Sequence, residues 1–193
     1  MLEVILIFTS YLAGSLSAAI ITCRVMGLPD PRTLGSNNPG ATNVLRHGGK
    51  KAAAITLFGD AIKGVIPVAT AQLMGMPPLI LALTALAAFL GHLYPVFFNF
   101  RGGKGVATAF GVLVALAWPV GIALLATWLV MAKLFNISSL AALTAACLGP
   151  LYMWLLRPQQ EFIIVAAVIS VMLLWRHRSN IRSLMAGTED KIQ

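Results

Sequence analysis

Charge is what this chain has least of. Of 193 residues, only 10% are Asp, Glu, Lys or Arg, and just 6 of them are acids. A soluble domain carries roughly 25% charged residues. A water-exposed globule is therefore excluded, and a single integral-membrane domain over residues 1–193 is expected. No polar stretch is long enough to fold alone, which excludes an appended soluble domain. Cysteine is scarce as well. Cys23 and Cys147 both fall in apolar segments, so packing is a better reading than a disulfide, and their spacing offers no metal site. The first apolar run follows Glu3 rather than a basic stretch and ends without a small-residue cleavage pattern, so no signal peptide is expected.

Several catalytic signatures are missing too. Thioester-using acyltransferases often carry His-x-x-x-x-Asp, a base with its orienting acid. Five residues after His47, His92 and His177 stand Ala52, Phe97 and Arg182. The Asp-rich signature of alcohol phosphatidyltransferases is absent, as is an acidic loop fit for two metals. Gly102-Gly103-Lys104 resembles the end of a Walker A loop, but Gly105 stands where Ser or Thr belongs, which disfavours a nucleotide triphosphatase. Any chemistry should therefore ask little of protein acids and bases, and neither a metal nor a cofactor is expected.

What the chain does have is apolar length. It is 59% hydrophobic, with a mean hydropathy of +0.86 and a net charge of +8. In a soluble protein that charge would suggest nucleic acid. In a membrane protein it reads as cations gathered on the cytoplasmic side, and no nucleic-acid partner is expected. Runs near 4–23, 52–75, 79–98, 140–156 and 161–175 are apolar enough to span. The run Val106–Ala132 is longer and carries Trp118-Pro119 near its middle. Read as one helix, it throws the last basic segment to the opposite face from the first two. Read as a hairpin of helices 105–117 and 118–133, it gathers twelve of the 14 cations on one face. The hairpin satisfies the positive-inside rule. The expected fold is thus all-α and polytopic, with seven transmembrane helices, the N-terminus outside and the C-terminus cytoplasmic. The two hairpin helices, at about 18–20 Å each, are short for a ~30 Å core.

Three Gly-rich or basic segments then share that face. The first is Gly35-Ser36-Asn37-Asn38-Pro39-Gly40-Ala41-Thr42-Asn43, followed by Arg46. The second is Arg101-Gly102-Gly103-Lys104-Gly105, just before an apolar helix. The third is Arg176-His177-Arg178-Ser179-Asn180. Helix starts carry free N–H donors and partial positive charge, and glycine lets backbone approach a ligand closely. Ser36, Thr42 and Asn43 can hydrogen-bond an oxyanion, and Arg46 can hold a phosphate bidentately. His177 and Asn180, three apart, suit one helical face. His92, inside the third span, is a candidate site residue or a buried hydrogen-bonding lock. Asp60 and Lys63 read as a self-neutralising structural pair. Ser139 and Lys133 fall on the same side as the three segments. Each segment also has the plain reading of a solvated basic loop. A transporter of a phosphorylated metabolite is the competing class.

These segments resemble the three cytoplasmic motifs of the bacterial acyl-phosphate:glycerol-3-phosphate acyltransferases, the PlsY-type family. The likeness runs through Tyr11-Leu12-Ala13-Gly14-Ser15, Gly35 to Arg46, Gly91-His92-Leu93-Tyr94-Pro95-Val96-Phe97-Phe98, Gly102 to Thr108, His177 to Ile181, and Gly187-x-Glu189-x-Lys191. Asn37 departs from the family's usual Gly, Arg101 from Lys, and Ser183 from Arg. The resemblance implies acyl transfer from acyl phosphate to glycerol 3-phosphate, at a bacterial inner membrane with the site facing the cytoplasm. Expected catalytic residues are Ser36, Arg46, Lys104, His177 and Asn180. Asn38, Gly40, Ala41, Thr42, Asn43, His92, Gly102, Gly103 and Ser139 are expected around the substrates. Membrane lipid and the soluble enzyme that makes acyl phosphate are the expected partners.

Overall fold

In the computed structural model, which describes residues 1–192, the chain is a bundle of helices with no strand among the described residues. In chain order they are α1 (Leu2–Gly14), α2 (Ala18–Val25), α3 (Ala41–Leu73), α4 (Pro78–Leu93), α5 (Val106–Leu116), α6 (Trp118–Phe135), α7 (Ser138–Leu156), α8 (Gln160–Arg176) and α9 (Arg178–Met185). Among the described residues, α3, α6, α7 and α4 with the 3-10 turn after it are each long and apolar enough to cross a membrane. The pairs α1–α2, bent by 45°, and α8–α9, bent by 60°, also qualify, while α5 is shorter.

The long run does break at Ala117, which is extended (φ −156°, ψ 97°), and Pro119 enters the first turn of α6. Proline lacks an N–H and suits a helix start. A Cβ built on Gly121 would lie 2.4 Å from the Val114 side chain, so α5 and α6 fold tightly back on each other. The starts of α3, α5 and α7 and the end of α8 consequently gather at one end of the bundle.

The first span differs from its expected form. Residues 4–23 are not one helix but two, separated at Ser15–Ser17. Broken backbone inside an apolar bundle persists only where protein groups satisfy it. Here Lys63 Nζ donates to the Leu16 carbonyl at 2.6 Å, and the Ala18 N–H donates to Asp60 Oδ1 at 3.4 Å. The Asp60–Lys63 pair, 2.7 Å apart, thus neutralises itself and also repairs the break. One further segment expected as a loop is helical. Residues 41–48 form helix before a break at Gly49 (φ 81°), because Val44 buries its side chain against Ala19, Cys23 and Ala52. Residues after His177 form α9.

Small residues set the closest helix contacts. A Cβ on Gly14 would lie 2.0 Å from the Ala88 carbonyl oxygen, and one on Gly91 2.2 Å from that of Tyr11. Flanking these approaches, Ser10 Oγ donates to the Thr84 carbonyl at 2.7 Å and Tyr11 Oη to that of Tyr94 at 2.6 Å. Hydrogen-bonded contact of small residues is what joins helices where burial against lipid gains little. The α3–α5 seam is built alike, with Thr108 Oγ1 donating to the Asp60 carbonyl at 2.8 Å. Phe89, Leu93, Met153 and Phe162 fill the centre.

Candidate functional site

The gathered helix ends surround a cavity of about 430 Å³. Three helix starts face one another there: α3 at Ala41, α5 at Val106 and α7 at Ser138. None is capped by a side chain, so their first-turn N–H groups remain available to a ligand. Each start also carries the positive end of its helix dipole. Three such ends on one cavity make an anion site from backbone alone.

Side chains add to it. The cavity is lined by Ser36, Asn38, Gly40, Ala41, Thr42, Asn43 and Arg46 from the first segment, Lys104 from the second, and His177 and Asn180 from the third, together with His92 and Ser139. Segments far apart in sequence are therefore brought to one wall. Lys104 Nζ donates to Asn180 Oδ1, tying the second segment to the third. Burial pulls the Lys104 ammonium below its usual pKa, and the cations Arg176 and Arg46 push the same way, while Glu189 opposes them. A phosphate beside Lys104 would favour the charged form and oppose that shift.

Two expected residues stand elsewhere. Gly102 and Gly103 are not on the cavity wall but behind it, moulded onto His92. A Cβ on Gly102 would lie 2.0 Å from the His92 carbonyl oxygen, and one on Gly103 2.4 Å from His92 Nε2. Their carbonyls accept from Arg176 Nη2 at 3.0 and 2.9 Å. The glycines serve close packing that aims Lys104. Arg176, which the sequence marked only as basic, clamps that turn.

Asn43 also differs from its expected role as a free donor. Its Nδ2 donates to the Pro31 and Leu34 carbonyls at 2.8 and 3.0 Å, and its Oδ1 accepts the Ser36 N–H at 3.2 Å. The side chain is spent on shaping the first loop. Asn37 sits there at φ 55°, a left-handed conformation that Asn tolerates better than most side chains. Asn is thus compatible with the backbone that this loop requires. Near the same loop, Asp30 and Arg32 pair at 2.7 Å, and the guanidinium's hydrogen bond holds the Asp30 carboxyl below its usual pKa. At another departure, Ser183 lines the cavity and Arg182 does not.

Residues of the C-terminal tail enter the site, and sequence reasoning gave them no role. Glu189 accepts from Ser139 Oγ and Asn180 Nδ2, both at 2.6 Å. Asp190 pairs with Arg46 at 2.8 Å. The Ile192 N–H, donating to the Asn136 carbonyl at 2.7 Å, fastens the tail to the end of α6. The available signals were the Gly187-x-Glu189-x-Lys191 stretch and composition, since two of only 6 acids stand in the tail after the third basic segment.

His177 is buried at the bend between α8 and α9, its Nδ1 2.8 Å from the Leu173 carbonyl. Because a carbonyl can only accept, Nδ1 carries the proton and donates it in this bond, which leaves Nε2 of the neutral ring as an acceptor. Burial is the main cause that draws its pKa from 6.5 down to about 4. A folded ring that holds its proton less tightly than the unfolded one leaves stability whole above pH 6.5 and loses it as pH falls toward about 4. The thermal midpoint in detergent should decline across that window, and His177→Asn should flatten the decline. Parallel curves for the two proteins would show that another group is responsible.

A family model described as glycerol-3-phosphate acyltransferase matches residues 4–187. The glycerol-3-phosphate acyltransferase of Thioalkalivibrio sulfidiphilus is 55% identical over 187 residues, covering 97% of this chain and 92% of that protein. That of Methylococcus capsulatus is 54% identical over 190 residues, covering 98% and 96%. The crystal structure of PlsY, an integral membrane glycerol 3-phosphate acyltransferase, is similar in its glycerol 3-phosphate form, with a TM-score of 0.95, 37% identity and coverage of 100% of this chain and 96% of that one. Its lysophosphatidic acid form gives a TM-score of 0.92 at 36% identity, covering 99% and 95%.

Proposed function

The chain belongs to the glycerol-3-phosphate acyltransferase family, and from that premise we propose that its acyl donor is acyl phosphate. Attack by the glycerol 3-phosphate hydroxyl would give lysophosphatidic acid and phosphate, the first acylation of phospholipid synthesis. The observation that carries this reading is the convergence of three uncapped helix starts, Lys104 and Arg46 on one cavity. Such a wall suits two phosphates: the one on the acceptor and the one that leaves the donor.

Acyl phosphate is a mixed anhydride and arrives activated. The hydroxyl oxygen attacks the acyl carbon, the carbon–oxygen bond to phosphate breaks, and the departing phosphate takes the hydroxyl proton. Lys104, Arg46 and the helix-start N–H groups neutralise that phosphate as charge builds on it. His177 Nε2, an acceptor only, orients the attacking hydroxyl. Fixing two substrates in line can by itself remove about 7–11 kcal/mol of barrier. The acyl chain leaves the cavity along Leu57, Val106, Trp128 and Ala142, which line its apolar side; Leu57 is 54% exposed on the bundle surface.

Alternation of helix direction from α3 to α8 favours seven crossings in a bacterial inner membrane, with the N-terminus outside, the C-terminus cytoplasmic and the cavity open to the cytoplasm. A soluble enzyme that makes acyl phosphate would then deliver it at that face. Purified protein should be given labelled glycerol 3-phosphate with acyl phosphate, acyl-CoA or acyl carrier protein in parallel. Lysophosphatidic acid is expected from acyl phosphate alone. Turnover with a thioester and none with acyl phosphate would overturn the donor, and no turnover with any donor would favour a transporter.

A further inference from the structure

Beneath the cavity lies a buried group of ionisable side chains to which the reaction above gives no part. Asp60 from α3 and His92 from α4 both reach the cavity wall, 2% and 6% exposed. Asp60 Oδ1 stands 3.5 Å from His92 Nδ1, and that nitrogen has no hydrogen-bond partner although it is buried. Lys63 is engaged with Asp60 and the Leu16 carbonyl. The carboxylate's charge is thus balanced inside the bundle, and what it offers the site is a fixed point rather than a field.

That fixed point leads to Lys104. The His92 ring abuts Gly103 at its Nε2 edge, and the His92 carbonyl abuts Gly102. From the other side Arg176 holds both glycine carbonyls. The turn before Lys104 is therefore gripped between His92 and Arg176. Within this grip, Asp60 is the polar group beside the ring's buried nitrogen. We propose that Asp60 is a positioning residue for acyl transfer, acting through His92 on the Gly102-Gly103 turn to aim Lys104 at the substrate phosphate. The proposal rests on the reading of Lys104 as the phosphate-handling cation. Displacement of about 1 Å at a reacting group can cost on the order of 100-fold in rate, so a positioning residue outside direct contact can carry a large effect.

A double-mutant cycle isolates this path from a general structural role. Asp60→Asn should lower kcat/KM about tenfold or more when Lys104 is present, yet by less than about twofold in the Lys104→Ala background, because the two losses share one route. Should Asp60→Asn fail to fold, His92→Gln run through the same cycle tests the other link of the chain, with thermal midpoints measured alongside. Equal losses in both backgrounds, or none in either, would overturn the positioning role while leaving the proposed reaction intact. Near-normal activity of Lys104→Ala alone would remove the cation itself, and this inference with it. Rescue of activity by His92→Asn, which keeps a polar side chain close to the Nδ1 position, against continued loss in His92→Ala, would further support the polar contact between Asp60 and position 92.

Discussion

Lys104→Ala should lower kcat/KM at least 100-fold, equivalent to about 2.7 kcal/mol of lost transition-state stabilisation. The size follows from where the ammonium sits. It is half-enclosed at the start of α5, bonded to Asn180, and already pays a desolvation cost that draws its pKa down. A cation held in that state gains most when phosphate charge grows beside it, as it would on departure of the proposed donor's phosphate. The helix-start N–H groups survive the substitution, so residual activity should persist. Lys104→Arg should recover little, because a planar guanidinium cannot take the place of a compact ammonium in this turn. Steady-state assays with acyl phosphate and glycerol 3-phosphate read both variants, and a near-normal rate for Lys104→Ala would exclude Lys104 from the chemistry.

Gly111→Val should abolish recovery of folded protein. A Cβ at Gly111 would lie 2.1 Å from the Ala61 carbonyl oxygen, well inside any real contact. The obstacle is backbone, so nothing can rotate away, and α3 and α5 must separate. Separation breaks the bond from Thr108 to the Asp60 carbonyl and uncovers the buried Asp60–Lys63 pair. A loss beyond about 4 kcal/mol, the class reserved for severe core disruption, is expected. Gly149→Ala is the control. Its Cβ would meet only Leu124 and Ser170 at 3.8 and 3.9 Å, and alanine favours helix over glycine by up to about 1 kcal/mol. Detergent extraction and size-exclusion profiles should show the control as a single species and the valine variant as aggregate. A monodisperse Gly111→Val with an unchanged midpoint would contradict the α3–α5 contact.

How much of this was legible depends on whether the signal was local. Trp118-Pro119 marked the hairpin because proline, apolar length and the sidedness of the cations all bear on the same few residues. The three site segments were visible because glycine and basic residues are conspicuous in an apolar chain. The break at Ser15–Ser17 left no such trace: its repair comes from Asp60 and Lys63, more than 40 positions away, and the apolar run looks continuous. Residues 41–48 read as loop because Asn38-Pro39-Gly40 signals a turn, while burial of Val44 extends the helix back to that turn. Gly102 and Gly103 were recognised as glycines that permit close approach, but the sequence did not show that His92 is a partner they approach. The carboxylates of Glu189 and Asp190 were missed because only tertiary folding carries the tail back to Arg46, Ser139 and Asn180.

The three uncapped helix starts have a consequence for anyone mapping this site by substitution. Their donors are peptide groups, present whatever side chain is attached, so an alanine scan is blind to them. Single-residue losses will sum to less than the whole affinity for phosphate, and even a variant stripped of Lys104 and Arg46 should still attract a dianion. Backbone chemistry is the lever that reaches them: proline placed within the first turn of α5 or α7, or an ester in place of a peptide bond there, deletes one donor while sparing the helix. For a small-molecule inhibitor the same fact is an advantage, since resistance mutations have no side chain to change at those contacts.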